Sequence, residues 1–299
     1  MARLTIGMPV YNNAQTLRAA LESLLAQTFT DLRIVISDDA STDNTADIAE
    51  QYAAKDSRVT VVRQPQNLGY SGNFGFLLSH AETPYFMWAA GDDRWGPDYA
   101  AANVAALDAD PSLAASISRA EFMRGGERLG PSTGTYPIKG TVEDRLALLL
   151  SGWGNCDMSR LFAVYRTAMA KKALPLLDTF AFDLAFCSIV ALDGGSHEVP
   201  EVMMWRDRTP NERYLAIMRR EAGHGVERLF PGLRITRWLL REPRIPRTRA
   251  VLLALLAFNM EWHLAITAQY NPGYAALFAP VHRIWRNHLN WRCRRPLPG

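Results

Sequence analysis

The apolar positions of the first hundred residues switch repeatedly between two periods. RLTIGMPV, at residues 3–10, is a short β-branched and aliphatic run, the pattern of a buried strand. NNAQTLRAALESLLAQTF follows with Leu17, Leu21, Leu24 and Leu25 three or four residues apart or adjacent, one face of a helix, with Asn12 or Asn13 as its expected cap. DLRIVISDDAS reads as a second strand closing on Asp38 and Asp39, and STDNTADIAEQYAAKD as a second helix opened by capping residues. RVTVVRQ, GYSGNFGFLLSHA and YFMWAA continue the series as strand, helix and strand. Alternation at this spacing predicts an α/β fold, a mostly parallel sheet flanked by helices on both faces. Ligands of such sheets sit beyond the carboxyl ends of the strands. Pro9 to Tyr11, Asp38 with Asp39, and Asp92 with Asp93 all fall at those ends.

Beyond residue 98 the pattern is mixed. Helical pieces (PDYAAANVAALDADPS, TVEDRLALLLS, TAMAKKALPLLD, FDLAFCSIVALDGG) alternate with strand-like ones (LAASISRAEFM, RLFAVYR, SHEVPEVMMWR) up to residue 206. From 210 onward the pattern is helical, with a break at REPRIPRTR. The expected division is a domain over 1–208, in halves of about 1–110 and 111–208, and a helical region over 209–299. The apolar run AVLLALLAFNM at 250–260 is short of a spanning helix, and the N-terminal run ends at Pro9, so no membrane span or signal peptide is expected.

Composition adds one asymmetry. Residues 1–205 carry 16 Lys and Arg against 24 Asp and Glu, whereas residues 206–299 carry 17 Arg, no Lys and 6 acidic residues. An acidic body is therefore joined to an arginine-rich C-terminal third. The three cysteines, Cys156, Cys187 and Cys293, are far apart and form no CxxC pair, which argues against a disulfide framework or zinc site and fits a reducing compartment.

Two pairs of adjacent aspartates at strand ends are the candidate chemistry. Carboxylates so placed can share a Mg²⁺ or Mn²⁺ with the phosphates of a substrate, or accept hydrogen bonds from a ligand's N–H and hydroxyl groups. A departing diphosphate would be stabilised by such a cation acting as a Lewis acid. The competing reading makes them helix caps and loop carboxylates. His197 and Cys187 lack ligand-spaced partners and read as structural positions. Gly69, Gly72 and Gly75 do not have the spacing of a dinucleotide fingerprint.

Several ordered motifs together resemble the family 2 glycosyltransferases. TIGMPVYNNAQTLRAALESLLAQTFTDLRIVISDDASTDNT is similar to that family's opening, NLGYSGNFG to its segment before the third helix, and WAAGDDRWGPD to its metal-binding Asp-x-Asp motif. The likeness is strong over residues 3–110 and extends to about 206. It implies the GT-A fold and transfer of a sugar from a nucleotide-sugar donor, a UDP-sugar favoured, to an acceptor hydroxyl with inversion.

Carried over position by position, Pro9, Tyr11, Asn12, Asp38 and Asp39 would hold the donor's nucleoside, with Asp39 on the base. Asn67 and Gly69 would shape the adjoining loop, Gly69 through its backbone. Asp92 would meet the ribose or the metal, and Asp93 the metal. Ala90 stands where an Asp-x-Asp ending at Asp92 would place its first acid, so the motif here is Gly91-Asp92-Asp93. Arg206 would reach the diphosphate. Asp183 stands where the family's catalytic base would be, with Phe182 in place of a preceding Glu, and Asp178 is the alternative base. Phe180, Phe182 and Phe186 are expected to favour the protonated form of Asp183 by desolvation.

The C-terminal region holds four of the eight tryptophans, Trp238, Trp262, Trp285 and Trp291, among its arginines. Basic amphipathic helices with Trp suit an anionic membrane surface, while a packed helical subdomain or homodimer face is the alternative. No nucleic-acid motif accompanies the charge, so no nucleic acid partner is expected. The expected place is the cytoplasm or the inner face of the membrane, and the expected acceptor a saccharide or lipid-linked saccharide of bacterial surface polysaccharide or glycoconjugate synthesis. Three other classes compete. A sugar-phosphate nucleotidyltransferase would want a Gly-rich loop with Arg and Lys after the first strand, which MPVYNNAQT lacks. A non-catalytic scaffold would keep the fold alone, and an adaptor would act through its basic region.

Overall fold

The computed structural model describes residues 2–152, 157, 159–177, 182–208, 233–245 and 280. β1 (Leu4–Val10), β2 (Leu32–Asp38), β3 (Val59–Arg63) and β4 (Tyr85–Trp88) alternate with α1 (Leu17–Leu25), α2 (Thr45–Ala53) and α3 (Gly69–Ser79). β1 pairs in parallel with β2 and β4, and β2 with β3. The carboxyl ends of all four strands therefore share one edge, as the alternation predicts.

Past β4 the sheet becomes mixed. β5 (Arg94–Trp95), β6 (Leu113–Arg124), β7 (Glu127–Pro131), β8 (Val164–Arg166) and β9 (Gly195–Asp207) complete nine strands in the order β3-β2-β1-β4-β8-β6-β9-β5, with β7 on β6. β8 runs antiparallel to both β4 and β6, while β9 runs parallel to β6. The two-residue β5 pairs with the end of β9, which brings the segment after Asp93 beside Arg206. α4 (Tyr99–Ala109), α6 (Thr167–Ala170) and α7 (Phe182–Asp193) pack against these strands, and α5 (Val142–Gly152) packs on α7.

α7 is buried from Phe182 through Leu192. A helix apolar all round belongs inside a core. It meets the sheet at Trp88, which is 0% exposed and edge-on to Phe86 at 4.9 Å and Phe186 at 4.7 Å. The indole N–H donates to the Phe74 carbonyl at 3.1 Å. Trp88→Ala should destabilise the protein by about 3–5 kcal/mol, read as a lower urea midpoint at unchanged slope. A loss under about 1 kcal/mol would mean this junction is not the packed centre described.

Some boundaries differ from the patterning. α1 starts at Leu17, because Asn12 adopts φ +54° in a tight turn and bonds to the loop after β2 instead of capping a helix. RLFAVYR divides into a 3-10 turn, Ser159–Phe162, and the three-residue β8. TAMAKKALPLLD divides into α6 and a 3-10 segment, Lys171–Leu176, containing Pro175.

In the C-terminal region α8 (Leu233–Arg241) ends at the Pro-marked break. Trp238 and Ile245 pack on the core, and Arg244 pairs with Asp193 at 2.9 Å. Trp262, Trp285, Trp291, the run at 250–260 and Asp178 lie outside the described residues. No helix among the described residues is long and apolar enough to cross a membrane.

Candidate active site

Parallel pairing sets Pro9 opposite Ser37 and Val10 opposite Asp38, so the loops after β1 and β2 leave the sheet side by side. Asn12 and Ala40 both take positive φ, +54° and +57°, and the two turns clasp each other. The Asn12 amide donates to Ser41 Oγ at 2.9 Å, the Thr42 amide to Asn12 Oδ1 at 2.8 Å, and the Asn13 amide to Thr45 Oγ1 at 2.7 Å. Asn12 thus holds the loops together. Tyr11 is turned outward, 42% exposed, and offers an aromatic face at the rim.

Asp38 and Asp39 are both buried. Asp39 receives the first amides of α3, Leu68 N–H on Oδ1 at 2.6 Å and Gly69 N–H on Oδ2 at 3.1 Å. Asn67 Nδ2 donates to the Asp39 carbonyl at 3.1 Å, and Gly69 takes φ +81°, a conformation that favours glycine. Asn67 and Gly69 therefore shape the receptor for Asp39. Each carboxylate oxygen can accept more than one hydrogen bond, so Asp39 keeps capacity for a ligand N–H. Asp38 Oδ2 accepts from the Ser41 amide at 3.2 Å, while its buried Oδ1 meets no hydrogen-bond donor among the described residues. A buried acceptor left so costs about 1–3 kcal/mol, which a ligand hydroxyl or N–H would recover.

The GDD loop is tied to the same edge. The Ala89 amide donates to the Gly7 carbonyl at 2.9 Å, and Ala90 is half-buried. A Cβ on Gly91 would come within 3.0 Å of Asn13 Cγ and 3.2 Å of Val10 Cγ1, so this glycine is where the two loops touch.

Asp92 and Asp93 then part. Asp92 is exposed and bonded to no other residue among those described. Burial nevertheless raises its pKa, opposed by the Arg206 charge. Asp92 thus keeps solvent contact while protein atoms crowd its carboxylate.

Asp93 is 2% exposed, accepts the Asp207 amide at 2.9 Å and pairs with Arg206 Nε at 3.3 Å. Burial pushes it up to about 7, with the neighbouring Arg206 working against the rise. Arg206 also donates from Nη1 to Ser159 Oγ at 3.2 Å, stands 3.9 Å from Asp157 Oδ1, and lies 4.8 Å over the Phe162 ring. Arg206 is therefore bracketed by two carboxylates. Burial raises the pKa of Asp157, but hydrogen bonds from Ser159 and Ser132 outweigh it and leave the group ionised well below neutrality. Asp157, Ser159 and Phe162 were not singled out by the sequence; nothing in the local pattern NCDMSRLF marks them.

Asp183 occupies the first turn of α7, buried, with the Leu184 amide on Oδ1 at 2.7 Å. The preceding Phe182 stacks on Tyr70 at 5.3 Å and on Phe74 at 5.4 Å. Both belong to α3, whose start is held by Asp39, so these rings join the Asp39 side of the edge to the start of α7. Burial pushes the Cys187 thiol up to about 12, against the nearby Arg160 and helped by Asp183. A thiol so neutral is no nucleophile or metal ligand.

The donor set suits a hard cation shared with phosphate. No group of three His, Cys, Asp or Glu side chains able to cage an ion is found among the described residues. Mg²⁺ and Mn²⁺ sites of the substrate-phosphate kind need only one or two carboxylates. Open Asp92 backed by Asp93 meets that need.

The family profile described as glycosyl transferase family 2 matches residues 5–174, which include β1 from its second residue, β2 to β4 and both aspartate pairs. WfaP of Escherichia coli, a UDP-Glc:alpha-D-GlcNAc-diphosphoundecaprenol beta-1,3-glucosyltransferase, is 35% identical over 95 residues, 32% of this chain and 37% of WfaP. Among solved structures, S. aureus TarS 1–349 in complex with UDP superposes with a TM-score of 0.61 at 21% identity, over 90% of this chain and 73% of TarS. The mannosyltransferase PcManGT from Pyrobaculum calidifontis, in complex with GDP-Man and Mn²⁺, gives 0.57 at 18% identity, over 97% and 84%. These likenesses assign the GT-A fold. The first curated relatives it matches are spanned for 26% to 54% of their own length. With more than half of its residues matched, and the matched loops forming the edge described above, the chain belongs to glycosyl transferase family 2.

Proposed function

We propose that the chain is an inverting glycosyltransferase that moves a sugar from a nucleotide-sugar donor, a UDP-sugar favoured, to the hydroxyl of a saccharide or lipid-linked saccharide. The observation that carries this is the meeting of Tyr11, Asp38, Asp39 and the Asp92–Asp93–Arg206 group on one sheet edge in a family 2 chain. UDP in TarS, GDP-Man with Mn²⁺ in PcManGT, and the diphosphoundecaprenol-linked acceptor in the name of WfaP support it. The setting proposed is bacterial surface polysaccharide or glycoconjugate synthesis at the inner face of the membrane, in keeping with the diphosphoundecaprenol-linked acceptor in the name of WfaP.

In this reading Tyr11 stacks on the base and Asp39 accepts its N–H, with Pro9 and Asn12 shaping the loop beneath and Asp38 Oδ1 taking a ribose hydroxyl. Asp92 and Asp93 would hold Mg²⁺ or Mn²⁺, which when bound would supply charge neutralisation at the leaving diphosphate. Arg206, whose planar fork suits phosphate oxygens, stabilises the same charge from the protein side. Asp183 takes the proton of the acceptor hydroxyl as its oxygen attacks the anomeric carbon and the bond to the diphosphate breaks. One displacement inverts that centre.

Incubation with UDP-glucose, UDP-N-acetylglucosamine, GDP-mannose and dTDP-rhamnose, each with Mn²⁺, tests the donor half of the proposal. One donor should slowly release its nucleoside diphosphate, and EDTA should stop the release. If none is consumed and none binds, the chain keeps the fold as a scaffold.

A further inference from the structure

We propose, resting on the function above, that Asp157 is a positioning residue: it is the anion that keeps Arg206 aimed at the donor's diphosphate once Asp93 serves a cation. Arg206 lies between two carboxylates and is bound tightly to neither. Its Nε stands 3.3 Å from Asp93 Oδ2 and its Nη1 3.9 Å from Asp157 Oδ1, against about 2.7–2.9 Å for a strong charge-assisted bond. A shift of about 1 Å toward Asp157 would close that contact. Nη2 meets no acceptor among the described residues, so one edge of the fork stays open to phosphate oxygens. When Asp93 turns to a cation, Arg206 loses one of its two counter-charges, and a largely buried guanidinium left with none is costly.

The second counter-charge is built to stay. Asp157 Oδ2 accepts the Ser132 hydroxyl at 2.7 Å and the Thr133 amide at 2.6 Å, and Oδ1 accepts the Ser159 amide at 3.0 Å. A Cβ on Gly134 would come within 2.9 Å of Asp157 Cγ, so glycine lets the turn at 132–134 close over the carboxylate. Arg206 Nη1 donates to Ser159 Oγ at 3.2 Å, and that oxygen lies 2.9 Å from Ser132 Oγ. With the Ser132 proton on Asp157, Ser159 supplies the proton between the two hydroxyls. The bonds then run in one direction, from guanidinium to carboxylate. Phe162, from the same 3-10 turn as Ser159, lies under the guanidinium at 4.8 Å, and its carbonyl accepts the Tyr99 hydroxyl at 2.9 Å. Asp157, Ser159 and Phe162 thus give Arg206 an anion, a relay and a platform.

A double-mutant cycle tests this. Asp157→Asn, Arg206→Gln and the double variant of the full chain are titrated beside wild type with UDP, GDP and dTDP in Mn²⁺. Asp157→Asn should weaken wild-type nucleotide binding about tenfold, yet change it less than about twofold when Arg206 is already Gln. A residue that only braced the turn at 132–134 would cost the same in both backgrounds. Urea unfolding of the same proteins, without metal or nucleotide, reads the coupling a second way. The unfolding constant of the double variant should depart by about threefold or more from the product of the single effects. If Asp157→Asn does not fold, Ser159→Ala, which cuts the relay and leaves the carboxylate its two amides, should weaken binding about threefold with the same dependence on Arg206.

Where wild type binds a nucleotide, the binding cycle decides: equal losses in both backgrounds, or no loss on Asp157→Asn, would overturn the proposal. Where wild type binds none, the donor reading fails and the urea cycle decides. Coupling there keeps Asp157 as the holder of Arg206, and additivity removes it.

Discussion

Asp183→Asn leaves Mn²⁺-dependent nucleotide binding within about twofold of wild type and lowers turnover by a factor on the order of 10² to 10⁴. The expectation follows from position. Asp183 opens α7, inside a helix buried along its length, and the adjacent Phe182 stacks on Tyr70 and Phe74 of α3, whose start is held by Asp39. Asparagine keeps the shape and still accepts the Leu184 amide, but it takes no proton at neutral pH. Single-turnover measurements alongside calorimetry separate the two effects. A fall in nucleotide affinity with turnover preserved would remove Asp183 from the base role, and Asp178 would take its place.

Asp93→Asn weakens Mn²⁺-dependent nucleotide binding by a factor on the order of 10² or more, the scale for losing a metal-binding carboxylate or its support. Alanine is the poorer probe. It would strip Arg206 of the partner held at 3.3 Å and leave the Asp207 amide without its acceptor, a buried-pair loss of about 3–5 kcal/mol.

The same residue gives a pH signature. Asp93 titrates at about 7 in the fold, well above the usual carboxylate value, because burial favours its neutral form. Its contribution to stability is therefore complete below about pH 4 and is lost as pH rises through 7. A cation must displace that proton, so wild-type Mn²⁺ affinity should climb between pH 6 and 7 and level off above. The asparagine variant should lack this rise, and a wild-type affinity flat from pH 6 to 8 would contradict the assignment.

The parallel half of the sheet is legible because β1, β2 and β4 are largely buried and α1 carries a clear apolar stripe. Leu4–Val10 and Leu32–Asp38 need no partner to be read as strands. Long-range pairing is what patterning misses. Asn12 looks like a helix cap until Ser41 and Thr42, thirty residues on, are seen to hold it in a turn. β5 is two residues long and exists only through β9, and β8 reverses direction for reasons no local period records.

The aspartate pairs were visible in the sequence, whereas their different settings were not. Asp92 is exposed while Asp93 is held by Arg206 and the Asp207 amide, contacts made across more than a hundred residues. Asp157 stayed hidden because a single acid in an irregular stretch has no periodic signature. The resemblance aimed Arg206 at a diphosphate, and the structure sets it between Asp93 and Asp157, a position from which its free edge can still serve phosphate.

The central claim, a nucleotide-diphosphate site completed by a cation at Asp92 and Asp93, meets its most direct test in one calorimetric experiment. UDP, GDP and dTDP are each titrated into the full chain with Mn²⁺, then with EDTA, and again into Asp93→Asn. One nucleotide should bind in Mn²⁺, and both EDTA and the substitution should abolish that binding. Binding of no nucleotide, or binding indifferent to EDTA and to Asp93→Asn, would contradict it.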